Sequence, residues 1–162
     1  MHPVAILQLL VLLSVANGAP VVAKKLLGEA WAWPLDGGCR FIDGRPLFGA
    51  SKTIRGVAVS VILTTAAAPL LGLPLAIGAI VGVTAMAGDL FSSFLKRRLD
   101  RPSSSRATGL DQIPEALFPL LACRFALALT WADIILGVAV FFAGEVVFSR
   151  LFYRLGLRDQ PY

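Results

Sequence analysis

The sequence predicts an all-α integral membrane protein, and its composition and the distribution of its charges carry that prediction. Of the 162 residues, 57% are hydrophobic and 15% are charged, and the mean hydropathy is +0.77. Soluble domains are about 45–50% apolar and about 25% charged. The apolar residues fall in long uncharged blocks, which is typical of a chain that crosses a bilayer several times. This composition excludes a disordered chain, a DNA-binding domain and an ordinary soluble enzyme.

Five apolar segments have about the length that a helix needs to cross the hydrocarbon layer. They run over approximately residues 3–23, 54–71, 73–91, 113–130 and 134–151. The fourth is the weakest, because Pro114, Pro119 and Arg124 interrupt it. The first is interpreted as a retained helix rather than a cleaved signal peptide, since no Lys or Arg precedes it. We therefore expect a single membrane domain, residues 1–162, built as a bundle of five transmembrane helices.

The basic residues set the expected orientation. Every Lys and Arg except Arg124 lies in the loop after the first segment, in the loop after the third, or in the C-terminal tail. By the positive-inside rule these parts are cytoplasmic, so the N-terminus is outside and the C-terminus is inside. We expect a multi-pass protein of the cell (inner) membrane whose active site faces the cytoplasm. The net charge is +5, and we expect the basic residues to contact anionic lipid head groups and phosphates. We expect no nucleic-acid partner.

Several kinds of catalytic site are excluded by the residues that the chain lacks. His2 is the only histidine, and the two cysteines, Cys39 and Cys123, have no metal-binding spacing. The chain therefore lacks the residues that a zinc hydrolase, a histidine acid–base catalyst or a bis-histidine haem site would need. A nucleotide-binding P-loop also fails, because Ala50 rather than lysine follows Gly49.

The first cytoplasmic loop carries more specific residues than a plain connection needs. Glycines lie beside basic residues, and such a loop lets a phosphate approach the backbone while cations neutralise its charge. The helix expected from residue 54 follows directly, and a helix N-terminus favours anions. Charges that only set topology would give a similar pattern, so charge alone does not decide. The candidate phosphate-binding residues here are Arg45, Lys52 and Arg55.

Two carboxylates at the cytoplasmic ends of neighbouring segments predict a metal site. A helix would place Asp89, Ser93 and Lys96 on one face, and Arg97 on that face as well. Asp111 opens the fourth segment, and antiparallel packing brings it towards Asp89. Mg²⁺ takes one or two carboxylates and completes its octahedron with water and phosphate oxygens. We expect Asp89 and Asp111 to bind Mg²⁺; a purely structural pair of Asp89 with Lys96 or with an arginine is the alternative.

Four further polar residues inside apolar segments keep two interpretations each. Asn17 either faces this site or forms a helix–helix hydrogen bond. Glu115 lies one turn beyond Asp111 and either supports the metal site or extends to the interface. Arg124 either pairs with Glu145 or extends outward to the membrane surface.

At these residues the sequence resembles the CDP-archaeol synthase family, membrane cytidylyltransferases related to the CDP-diacylglycerol synthases. The resemblance covers nearly the whole chain, and Asn17 with Pro20 is similar to the polar patch of the family's first helix. The other motifs that carry it are Asp43-Gly44-Arg45 with Gly49, Lys52-Thr53, Arg55-Gly56, Gly88-Asp89, Ser93-Phe94, Lys96-Arg97-Arg98 and Leu110-Asp111-Gln112. The chain lacks the His-Gly-Gly stretch of the longer CDP-diacylglycerol synthases, which favours the smaller synthase type.

The resemblance implies Mg²⁺-dependent transfer of CMP from CTP to an isoprenoid ether glycerol phosphate. The products are pyrophosphate and a CDP-activated lipid for phospholipid synthesis. It implies catalytic roles for Asp89, Asp111 and Lys96, with the two aspartates as metal ligands. The residues it assigns to substrate binding are Asn17, Asp43, Arg45, Lys52, Arg55, Ser93, Arg97 and Arg98. The expected partners are CTP, a lipid glycerol phosphate and the bilayer, and a homodimer stays open.

Such a reaction needs no nucleophile from the protein. The lipid phosphate oxygen attacks the α-phosphorus of CTP, so catalysis is mainly positioning and charge neutralisation. The main alternative is the same chemistry on phosphatidic acid, since the sequence does not reveal the lipid tails. A small transporter of phosphate esters is disfavoured, because the expected bundle has little charge at its midplane. A scaffold that binds anionic lipids through its basic loops is the third alternative.

Overall fold

The structure, a computed structural model, describes residues 1–103, 105 and 107–154, with side chains as far as residue 147. Its five α-helices are α1 (Pro3–Leu27), α2 (Ile54–Ala67), α3 (Leu75–Arg98), α4 (Gln112–Ala122) and α5 (Trp131–Arg154). The described part contains no β-strand, which confirms the all-helical class. Of the charges used to predict orientation, Arg106 and Arg158 lie outside the described residues, as do the side chains of Arg150 and Arg154.

Three helical segments within the described residues are long and apolar enough to cross a membrane. They are α1, α3, and α2 together with the short 3-10 turn that continues it to Leu71. Helix α3 continues beyond residue 91, the end of the third apolar segment, to Arg98, so it includes the helical face predicted from Asp89 to Arg97. The fifth predicted segment lies within α5.

Helix α4 ends well before residue 130, the predicted end of the fourth apolar segment. α4 has 11 residues and ends at Ala122. Beyond it the backbone hydrogen bonds change to the shorter turn pattern, as in the bond from Arg124 N–H to the Leu121 carbonyl. Ala128 then takes a positive φ of 52°, which a right-handed helix does not allow. Apolar composition alone concealed these turns.

Helix α3 lies at the centre of the bundle because its glycines allow close approach. A Cβ atom at Gly78 would lie 2.7 Å from the Thr64 carbonyl oxygen of α2, and one at Gly82 would lie 2.9 Å from Val61 Cα. A Cβ at Gly88 would overlap the backbone of α4 at Pro114. Small residues of this kind let helices pack backbone against backbone. The contact at Gly88 brings the start of α4 against the residue that follows, Asp89.

The two ends of the bundle differ in character. At one end, the backbone N–H of His2 donates to Asp133 Oδ1 at 2.9 Å, which ties the start of α1 to the start of α5. Gln8 Nε2 donates to the Leu71 carbonyl at 2.7 Å near the same end. At the other end, the connection between α1 and α2, residues 28–53, folds over the C-terminus of α3. The functional residues gather at the second end.

Candidate active site

A cavity of about 490 Å³ opens where α1 and α3 end and where α2 and α4 begin. Its wall combines residues from all five helices and from both loops at this end. The ionisable and amide side chains on the wall are Asn17, Lys24, Glu29, Lys52, Arg55, Asp89, Lys96, Asp111, Gln112, Glu115 and Glu145. Six of the sequence-predicted site residues are in this set: Asn17, Lys52, Arg55, Asp89, Lys96 and Asp111.

The first ion pair on the wall joins Lys52 to Asp89. Lys52 Nζ lies 2.6 Å from Asp89 Oδ1 and 2.5 Å from Oδ2, and each side chain is 21% exposed. The backbone holds Lys52 in place, since its carbonyl accepts a 2.7 Å hydrogen bond from Leu35 N–H. Thr53 then caps α2 by accepting from Gly56 N–H at 3.1 Å. The first loop thus positions Lys52 beside Asp89 of α3.

The second ion pair joins Lys96 to Asp111. Lys96 Nζ lies 2.8 Å from Asp111 Oδ1 and donates to the Ser105 carbonyl at 3.1 Å. The other oxygen of Asp111 accepts from Ala107 N–H at 2.9 Å. Lys96 is buried, while the Asp111 side chain is 20% exposed. This pair ties the second loop to the last turn of α3 beside the cavity.

Glu115 links three helices beneath these pairs. Its Oε2 accepts a 2.9 Å hydrogen bond from Asn17 Nδ2 of α1, and its carboxyl group lies close to the Asp89 side chain of α3. Both open interpretations of Asn17 therefore meet at one contact, because it forms a helix–helix hydrogen bond on the cavity wall. The sequence left the role of Glu115 open, and the structure places it directly behind Asp89.

The carboxylates on the wall fit the chemistry of Mg²⁺. This ion takes oxygen ligands and binds through one or two carboxylates together with substrate phosphates and water. Asp89 and Asp111 offer carboxylate oxygens about one-fifth exposed on the same cavity wall. Lys52 and Lys96 stand beside them as cations of the kind that binds phosphate. The donor set therefore suits a metal ion that enters with a nucleotide.

Arg55 has a structural contact as well as a place on the wall. Its Nη1 donates to the carbonyls of Gly28, at 3.0 Å, and of Ala30. These carbonyls lie just beyond the C-terminus of α1, where a cation is favoured. Arg55 is buried, so it holds the end of α1 against the start of α2 at the cavity.

Five predicted substrate-binding residues lie away from the cavity wall: Asp43, Arg45, Ser93, Arg97 and Arg98. Ser93 is buried within α3, and Arg97 Nη2 donates to the Pro102 carbonyl at 2.6 Å. The structure therefore brings together six of the eleven predicted residues on the cavity wall, and the other five do not line it.

Three of those residues form a loop clasp with two aromatic rings: Phe41, Asp43, Arg45, Phe94 and Arg98. Arg98 donates to Asp43 Oδ1 at 2.7 Å, and its guanidinium carbon lies 4.7 Å and 4.9 Å from the ring centres of Phe41 and Phe94. Arg45 Nη1 donates to the Arg98 carbonyl at 2.6 Å. The loop clasp holds the first loop on the C-terminus of α3.

Asp36 organises the same loop from within. Its carboxylate accepts three hydrogen bonds at 3.0 Å from backbone N–H groups, those of Gly38, Phe48 and Gly49. Burial alone would raise the pKa of Asp36, but these hydrogen bonds stabilise the charged form and bring the pKa below its usual value. Asp36 therefore shapes the turn that leads to Lys52.

Comparisons with known proteins agree with the geometry. Residues 69–162 match the family model described as CarS-like: CDP-archaeol synthase. The CDP-archaeol synthase of Pyrobaculum arsenaticum is 41% identical over 112 residues, which cover 66% of each chain. That of Hyperthermus butylicus is 38% identical over 136 residues, covering 76% of this chain and 78% of the relative.

A solved structure has the same fold. It is described as an intramembrane enzyme for archaeal membrane lipids biosynthesis, and it aligns with a TM-score of 0.74 at 29% identity. The alignment covers 86% of this chain and 89% of that one. The likeness thus extends over nearly all of both molecules.

Proposed function

Because this chain belongs to the CDP-archaeol synthase family, we propose that the cavity is its active site and that Asp89, Asp111 and Lys96 carry the chemistry there. The protein is a CTP-dependent cytidylyltransferase that transfers CMP to a lipid phosphate. The observation that supports this site is the presence of two lysine–aspartate pairs on one cavity wall, at the end of the bundle where both loops meet.

The proposed reaction is a displacement at phosphorus. An oxygen of the lipid phosphate forms a bond to the α-phosphorus of CTP, and the bond from that phosphorus to the pyrophosphate oxygen breaks. Asp89 and Asp111 would hold Mg²⁺, which supplies charge neutralisation on the phosphates when bound. Lys52 and Lys96 neutralise the triphosphate and the departing pyrophosphate. Each lysine has a flexible stem, so its ammonium group can exchange a carboxylate contact for a phosphate contact.

Three residues position these groups. Asn17 donates to Glu115, and Glu115 lies beside Asp89, so the hydrogen bond from Asn17 holds Glu115 behind Asp89. Arg55 holds the ends of α1 and α2 together at the wall. We infer that the remaining predicted residues, those of the loop clasp with Ser93 and Arg97, support the site without touching the substrates.

The membrane arrangement is part of the same proposal. The chain, residues 1–162, acts as a single domain with five transmembrane segments, the fourth being α4 with the turns that follow it. The N-terminus is outside, the C-terminus and both loops are cytoplasmic, and the site faces the cytoplasm of the cell membrane. The distribution of Lys and Arg supports this arrangement.

The native cysteines allow a direct test of orientation. Cys39 is exposed in the first loop, and Cys123 is buried. A membrane-impermeant maleimide is expected to label Cys39 in inside-out vesicles and to leave right-side-out vesicles unlabelled. Labelling of Cys39 in intact right-side-out vesicles would contradict the proposed orientation.

The activity is tested with purified protein, CTP and Mg²⁺. An isoprenoid ether glycerol phosphate and phosphatidic acid are supplied in parallel, and CDP-lipid and pyrophosphate are measured. We expect the two products in equal amounts, with faster turnover on the ether lipid, and no product when Mg²⁺ is chelated. Folded protein that forms no CDP-lipid from either substrate would overturn the proposed function.

A further inference from the structure

Lys24 lies on the cavity wall although no motif assigns it a role. Asn17, Pro20, Val21 and Lys24 all line the cavity. These positions follow the helical spacing i, i+3, i+4 and i+7, so they form one face of α1. Seven residues of helix correspond to about 10 Å along the axis. The cavity therefore extends from the contact between Asn17 and Glu115 to the last turn of α1.

The other basic side chains on the wall already have partners, and those side chains are Lys52, Arg55 and Lys96. Lys24 differs from them. Its side chain is exposed, and among the described residues it forms no ion pair, including with Glu29, which lines the same wall. Its ammonium group is thus available to an anion that enters beside α1.

The wall next to Lys24 is apolar and opens outward. Val21 lines the cavity and is 40% exposed, and Val22 beside it is 56% exposed. Val57 of α2 also lines the cavity. A nucleotide has no apolar chain that needs such a surface. A lipid phosphate does, since its head must reach the cavity while its tails stay in the bilayer.

We propose that Lys24 binds the phosphate of the lipid substrate at the mouth of the cavity. This inference rests on the proposed function. The inner lysines then serve the triphosphate, and Lys24 serves the second anion of the reaction. Its position in the last turn of a membrane helix suits this task, because a lysine there reaches the level of the lipid head groups. The contact favours a lipid with a phosphate head over a neutral lipid.

The test compares Lys24→Gln with Lys25→Gln. Lys25 is the adjacent lysine, is exposed and does not line the cavity, so it controls for the loss of one interfacial charge. Lipid and CTP are varied separately in mixed micelles containing an isoprenoid ether glycerol phosphate. We expect Lys24→Gln to raise the KM for the lipid about tenfold, the size of one hydrogen bond to a charged group. The KM for CTP should change less than about twofold, since the fold and the inner lysines are unaltered.

Lys24→Arg provides a second variant, and it should keep most of the affinity for the lipid because it keeps the charge. Equal KM values for the lipid in Lys24→Gln and Lys25→Gln would overturn the inference while the proposed function stands. A rise in the KM for CTP instead would assign Lys24 to the nucleotide and also overturn it. Wild-type protein that forms no CDP-lipid would overturn the proposed function, and the inference with it.

Discussion

Two clusters of charged residues lie at the same end of this molecule, and they differ in what their cations contact. In the cavity, Lys52 and Lys96 contact carboxylate side chains, although Lys96 and Arg55 also donate to main-chain carbonyls. In the loop clasp, Arg98 donates to Asp43 but also to the Pro46 carbonyl at 2.6 Å, and Arg45 donates to the Arg98 carbonyl. A contact to a main-chain carbonyl fixes the path of the chain, whereas a contact between side chains can be exchanged for one to a ligand.

The choice of cation follows the same division. A lysine carries a compact charge on a flexible stem, and an arginine presents a rigid fork that stacks on aromatic rings. The cavity pairs use lysine, and the loop clasp uses arginine between two phenylalanines. A basic residue in a motif that resembles a phosphate-binding loop is therefore poor evidence for substrate contact, unless the group that the basic residue contacts is known. Substitutions should distinguish the two clusters. We expect substitutions in the cavity to lower kcat and substitutions in the loop clasp to lower the stability of the fold.

The largest separation is expected from Asp89→Asn compared with Asp43→Asn. The first change removes a carboxylate charge from the cavity wall, and kcat should fall at least about 100-fold. The second is the same substitution in the loop clasp, and kcat should change less than about threefold. CDP-lipid formation is measured on both, with gel filtration in detergent to confirm folding. Equal losses would remove the functional distinction between the clusters.

Gly88→Ala tests the packing that brings the cavity residues together. The added methyl group would overlap the backbone of Pro114 and Glu115, so α4 must move away from α3. Displacement of Asp89 from Glu115 should lower kcat between about tenfold and 100-fold, and the strain should cost about 1–3 kcal/mol of stability.

Gly18→Ala is the matched control for this packing test. Gly18 is also helical, but a Cβ there has nothing within 4 Å, so activity should be unchanged. Thermal unfolding and CDP-lipid formation are measured on both variants. If Gly88→Ala behaves like Gly18→Ala, the close contact between α3 and α4 is wrong.

Lys96→Ala sharpens the assignment within the cavity. The variant loses one cation for the triphosphate, so the KM for CTP should rise about tenfold, the size of one charge-assisted hydrogen bond. The KM for the lipid should change much less, the reverse of the result expected for Lys24→Gln. Steady-state kinetics with each substrate varied in turn would show this difference. An unchanged KM for CTP would restrict Lys96 to its structural pair with Asp111.

The smallest effect on activity is expected from Arg98→Gln. The change removes the contacts to Asp43, Pro46 and both rings, so the free energy of unfolding should fall by about 1–3 kcal/mol. Below the unfolding temperature, kcat should stay within about twofold of the wild type. Arg40→Gln in the same loop loses one exposed bond to the Gly44 carbonyl and should cost under about 0.5 kcal/mol. A large rise in either KM for Arg98→Gln would return Arg98 to the substrate site.

The helices and part of the site follow from local pattern. Apolar blocks predicted the helices, and helical spacing placed Asp89 and Lys96 on one face, where the structure has both on the cavity wall. The same spacing could have identified Lys24, since it lies seven residues after Asn17 on α1. It was missed because a lysine after an apolar block is equally expected from topology alone.

The sequence by itself determined an all-helical membrane protein of the CDP-archaeol synthase family, because apolar block length and motif spacing are properties of the chain. Only the tertiary structure decided where α4 ends and which cations face the cavity. Asp89, Lys96 and Arg98 lie within ten residues. Asp89 and Lys96 line the cavity, whereas Arg98 binds Asp43 of the first loop. Arg98 pairs with Asp43 of the first loop, whereas Lys96 pairs with Asp111 of the second loop. Spacing along the chain does not show which partner each charged residue contacts, because the partners come from distant parts of the sequence.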